Sequence, residues 1–76
     1  MQVYADKKPP VSAVKYWTMI FDQGNTRVYE AGNFYDYYKV DTVGERPKYF
    51  FGESAWMNCQ RFVVDKVGMV GYNLFN

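Results

Sequence analysis

Alternation with a period of two runs through the first two thirds of this chain, and a period near 3.6 replaces it after Ser54. The segment Lys15-Tyr16-Trp17-Thr18-Met19-Ile20-Phe21 is β-branched and aromatic, which is strand composition. Strict alternation places Trp17, Met19 and Phe21 on one face and Tyr16, Thr18 and Ile20 on the other. Both faces are largely apolar, as in a strand covered on two sides or one that keeps a sticky second face. Asp22-Gln23-Gly24-Asn25 carries turn chemistry, because Gly and Asn accept positive φ. Residues 26–30 then read as the returning strand of a hairpin. Ala31-Gly32-Asn33 marks a second turn or a bulge. A long third strand is predicted over 34–43, with Phe34, Tyr38 and Val40 inward and Tyr35 and Tyr37 on the outer face. Residues 44–47 form the next loop, and 48–51 a short fourth strand.

Ser54 is placed to cap a helix with its hydroxyl, and Gly68 to end it. At 100° per residue, Ala55, Trp56, Cys59, Phe62, Val63 and Val67 share one broad apolar face, with Asn58, Arg61 and Asp65 opposite. Met57 and Val64 break that pattern. Seven residues apart, they form a stripe beside Arg61 that faces away from the core. Val70, Tyr72 and Leu74 alternate in the last stretch, which reads as a final strand. The element order is β-β-β-β-α-β. It predicts an α+β fold in which one amphipathic helix packs on a small antiparallel sheet of four to five strands. Lys7, Lys8, Pro9 and Pro10 lie together near the start, so residues 1–12 read as a flexible N-terminal arm ahead of a single domain over 13–76.

Composition changes this picture in one direction. The 76 residues include eight Tyr, six Phe and two Trp, but no His. A domain of this size buries only about 60% of its unfolded surface, so these rings exceed what one small core absorbs. Some are expected in a surface cluster, a groove or an interface. The absence of His removes the side chain most used for acid–base work near neutral pH and the commonest transition-metal ligand. Cys59, the one cysteine, has no activating base beside it and reads as a small buried hydrophobe. The pairs Asp36 with Asp41 and Glu30 with Asp22 carry no catalytic signature and read as solvated surface acids. The glycines occur singly, without a phosphate-cradling cluster. The chain is therefore expected to be no enzyme and to use no cofactor and no metal.

Charge is nearly balanced, at a formal +1. Tyr35, Tyr37 and Tyr49, interleaved with Lys39 and Lys48, could stack bases of single-stranded nucleic acid. Asp36 and Asp41 in the same stretch would repel phosphates, and a general nucleic-acid binder is usually distinctly basic. The first expectation is thus a protein-interaction module that binds a larger protein, and inhibits it by occlusion as many small viral proteins do. Its candidate surfaces are Met57, Arg61 and Val64 on the helix and Tyr35 and Tyr37 on the sheet. The alternatives are a nucleic-acid binder and a homodimer whose aromatic surface is its own subunit contact. No apolar run has the length of a signal peptide core or a membrane span, so a cytoplasmic protein without a membrane partner is expected.

Overall fold

Among the described residues, four antiparallel strands and one helix make an α+β domain. The computed structural model describes residues 8–68. Its elements are β1 (Trp17–Gln23), β2 (Thr26–Ala31), β3 (Tyr37–Thr42), β4 (Lys48–Phe51) and α1 (Ala55–Val67), preceded by a single 3₁₀ turn at Val11–Ala13. The strands follow one another across the sheet in chain order, β1-β2-β3-β4. The final strand expected after Gly68 lies outside the described residues.

Local chemistry accounts for most of these boundaries. Gln23 pairs with Thr26 across a two-residue loop, and Gly24 takes φ 60° at the first loop position, where a tight hairpin turn favours glycine. The helix stops at Gly68, whose φ of 72° is left-handed and whose N–H donates to the Val64 carbonyl at 2.9 Å. At the other end Ser54 occupies the cap position, but its side chain makes no capping bond. The helix starts instead from a turn in which the Ala55 N–H donates to the Gly52 carbonyl at 3.0 Å.

Two expectations about the strands need correction. The β1–β2 register steps from Met19 opposite Tyr29 to Phe21 opposite Val28, so Ile20 is an extra, bulged residue. The bulge turns Phe21 onto the helix side of the sheet, while Trp17 and Met19 stay on the far side; strict alternation would have kept all three together. The third strand also begins later than predicted, at Tyr37. Asp36 has a left-handed φ of 52°, which breaks the extended backbone just before it.

The sheet is covered on both sides. On the helix side, Val28, Tyr38 and Val40 pack with Ala55, Cys59 and Val63, and Phe21, Phe50, Trp56, Phe62 and Val67 close the margin. The helix face therefore points where its periodicity places it. Val63 is fully enclosed, whereas Phe62 is half-buried against Phe50, with ring centroids 5.6 Å apart. Phe62→Ala is accordingly expected to destabilise by less than the ~3–5 kcal/mol of a fully buried ring, and a thermal melt reads the difference.

The far side holds a second aromatic core. Tyr37 is 0% exposed. Its ring meets Trp17 at 5.4 Å, Phe51 at 5.7 Å and Tyr49 at 6.3 Å, mostly edge to face. Its hydroxyl donates to the Pro9 carbonyl at 3.0 Å. Pro9 is itself buried, so the described end of the 1–12 segment packs on the sheet. Tyr37 does lie on the face opposite Tyr38, but that face is roofed over and Tyr37 offers no surface.

Candidate protein-binding site

The helix stripe is partly on the surface. Met57 is 46% exposed and Arg61 is exposed, with no ion pair among the described residues. Val64 is half-buried. Tyr35 is 50% exposed in the irregular stretch before β3. Of the five candidate residues, Met57, Arg61 and Tyr35 are thus accessible, Val64 is so in part, and Tyr37 is enclosed.

Of the residues expected to stack bases, Tyr37 is enclosed and Tyr49 and Lys39 are half-buried, while Tyr35 and Lys48 are exposed. The Lys39 ammonium sits 4.7 Å from the Tyr29 ring centre and 5.1 Å from that of Trp17, and Lys8 sits 5.0 Å from Tyr49. These cations spend their charge on the protein's own rings.

A different site lies on the helix side. Ile20, Glu30, Asp36, Tyr38 and Trp56 line an open cleft of about 490 Å³. Each residue reaches it for a local reason. Ile20 is the bulged residue of β1, and Glu30 sits opposite Tyr38 in the β2–β3 ladder. Asp36 occupies the left-handed position that ends the irregular stretch, and Trp56 belongs to the first turn of α1. The Trp56 and Tyr38 rings lie 5.1 Å apart at 40°, forming an aromatic wall.

The electrostatics of the cleft are one-sided. Asp22 pairs with Arg27 at 3.3 Å, Asp41 with Lys39 at 3.9 Å and Glu45 with Lys66 at 2.8 Å. The carboxylates of Glu30 and Asp36 have no such partner among the described residues. Tyr38 is only 8% exposed, and its hydroxyl makes no hydrogen bond there either. Burial, and then the charges of Glu30 and Asp36, push the Tyr38 phenol up to about 12. In the sequence, Glu30 with Asp22 and Asp36 with Asp41 are the candidate carboxylate pairs. The fold separates those pairs and brings Glu30 and Asp36 to one cleft, a juxtaposition set by strand register.

Cys59 is buried beneath the helix, and burial pushes its thiol up to about 12. A thiol held protonated in this way is a poor nucleophile. The raised values also set a pH dependence. Both groups hold their protons more tightly folded than unfolded, so their stability contribution is complete below about pH 9 and is lost as pH rises toward 12. Thermal melts between pH 8 and 12 should therefore show a falling midpoint. Tyr38→Phe should flatten the part of that fall above pH 10; an unchanged slope in the variant would contradict the burial of this phenol.

Among the described residues there is no group of three or more His, Cys, Asp or Glu side chains able to hold a metal ion, and no helix long and apolar enough to cross a membrane. Comparison with protein families, characterised proteins and solved structures finds no match to this chain. Fold and site define a small α+β domain with an acidic, aromatic-walled cleft.

Proposed function

We propose that this chain is a non-enzymatic interaction module that binds a larger protein and acts by occluding it. The observation that carries this reading is an aromatic cleft with an exposed methionine next to it in the helix: Trp56 lines the cleft, and Met57 is the following residue, half out of the surface. Aromatic residues, Met and Arg are enriched at interface cores, and Arg61 adds an exposed guanidinium one turn further on, unpaired among the described residues. The shielded thiol of Cys59 fits the non-enzymatic part of the reading and suits a reducing cytoplasm.

Capture from cells with the immobilised chain tests it. A protein retained by the parent should be lost with Met57→Lys, while the melting temperature stays within a few degrees of the parent's because the side chain is already half in water. Val64→Lys should instead lower the melting temperature, since Val64 is half-buried and an ammonium there loses solvation. Retention undisturbed by Met57→Lys removes the helix stripe from the interface. Recovery of nucleic acid alone would favour the base-stacking alternative.

One observation favours self-association as a second reading. β1 is an edge strand whose outer side pairs with nothing among the described residues, and Met19 on it is 51% exposed. Open edges of this kind recruit further strands. Sedimentation showing a dimer that Met19→Lys dissolves would support it.

A further inference from the structure

We propose that the cleft between β2, β3 and the start of α1 is a receptor for a single arginine side chain presented by the partner protein. This inference deepens the interaction reading above and rests on it. Four features of the cleft point to a guanidinium.

The first is unbalanced charge. Asp22, Asp41 and Glu45 are paired with cations and Glu53 and Asp65 are exposed to solvent, whereas Glu30 and Asp36 are half-buried and lack a cationic partner among the described residues. Partly desolvated carboxylates without a counter-ion favour an incoming positive group. The second is the Tyr38 hydroxyl, which belongs to a side chain more than nine-tenths buried, lines the cleft and has no hydrogen-bond partner among the described residues. Glu30 and Asp36 line the same cleft, so all three polar groups border one volume. Their combined capacity is mostly acceptor, which matches a ligand that only donates.

The third feature is the aromatic wall. The tilted Trp56 and Tyr38 rings give a flat cation a face to lie against, and guanidinium stacks on aromatic faces more readily than ammonium does. The planar fork of arginine can also bridge two carboxylates with separate N–H groups, which a compact ammonium does less well. The fourth is shape. At about 490 Å³ the cleft lies within the size range of sites that hold small ligands, and Ile20 supplies an apolar surface for the aliphatic stem.

The residues that hold the cleft open support the same assignment. Asp36 adopts a left-handed backbone that few non-glycine residues take, and its backbone carbonyl accepts the Gly52 N–H at 3.1 Å. That bond ties the loop before β3 to the turn that launches α1. The carboxylate of Asp36 and the indole of Trp56 are thereby positioned by the same junction.

The test is a titration of the labelled protein with N-acetyl-arginine N-methylamide, followed through backbone amide shifts and the Trp56 indole N–H. The neutral isostere N-acetyl-citrulline N-methylamide, the lysine analogue and calcium chloride are titrated in parallel. The expected result is saturable shifts at Glu30, Asp36, Tyr38 and Trp56. Affinity should be at least about tenfold weaker for citrulline, and also for arginine binding to the Glu30→Gln, Asp36→Asn double variant, because hydrogen bonds to charged groups are lost in each case. Added salt should weaken the arginine response. Asn tolerates the left-handed backbone of Asp36, and Gln is isosteric with Glu30, so the double variant should fold. If it does not, the citrulline comparison on the parent still decides.

The proposal is overturned by an absence of saturable shifts at these residues, by citrulline or lysine binding as well as arginine, or by calcium producing the same shifts more tightly. A captured partner whose binding ignores the double variant sinks the arginine assignment and leaves the interaction module standing. Arginine binding at the cleft without any captured partner does the reverse.

Discussion

Tyr37→Ala should destabilise this domain by about 3–5 kcal/mol, the range for removing a large side chain from an enclosed site. Two effects combine there. Deleting the ring leaves Trp17, Phe34, Tyr49 and Phe51 facing a void, since Tyr37 is the residue that all four contact. Deleting the hydroxyl also frees the Pro9 carbonyl and loosens the segment that roofs the far side of the sheet. Tyr37→Phe separates the two: it keeps the ring and should cost only about 1 kcal/mol. A chain lacking residues 1–10 should lie between these variants, because it uncovers the aromatic layer without opening a cavity in it. Chemical denaturation of the three variants gives the ranking. A Tyr37→Ala protein as stable as Tyr37→Phe would mean that the far-side cluster contributes nothing to the fold.

Val63→Asp should abolish cooperative folding. Val63 is 0% exposed in the cluster formed with Val28, Tyr38, Val40, Ala55 and Cys59, and that cluster contains no cation. A carboxylate there must either ionise without a partner or take up a proton, and each route costs several kcal/mol. Small domains hold only about 5–15 kcal/mol in total, and one this short sits toward the low end. Val63→Ala is the matched control, losing two methyl groups and keeping a folded if weaker domain. Circular dichroism and thermal melts distinguish the outcomes. A folded Val63→Asp protein with a near-parental midpoint would show that α1 does not seal this core.

The two variants probe opposite sides of one sheet, and they differ in how much of their setting can be read in advance. The helix side was legible from Ala55, Cys59 and Val63 alone, because a helical repeat fixes which residues share a face whatever the helix packs against. The far side was not. Tyr37 alternates with Tyr38 as any strand residue would, and its burial depends on the rings of Trp17, Phe34, Tyr49 and Phe51 and on the docking of Pro9. A segment with two prolines and two lysines carries no local signal for where it docks.

The candidate site divides in the same way. Exposure of Met57 and Arg61 followed from their angular position on α1. The cleft did not follow from any single segment: it needs the bulge at Ile20, the register that sets Glu30 beside Tyr38, and the left-handed turn at Asp36. Strand register is a contact between distant stretches of chain, and a shift of one residue would send Glu30 to the other face.

Periodicity, turn residues and the terminal glycine thus determined by themselves the four strands and the helix found among the described residues, and which helix face is apolar, because those preferences act within a few residues of chain. Tertiary structure decided that the sheet is covered twice, that Tyr37 is core, and that two carboxylates unpaired among the described residues meet an aromatic wall. Each of those outcomes is an encounter between residues far apart in sequence, selected by the packing of the whole domain and not by the preferences of any one segment.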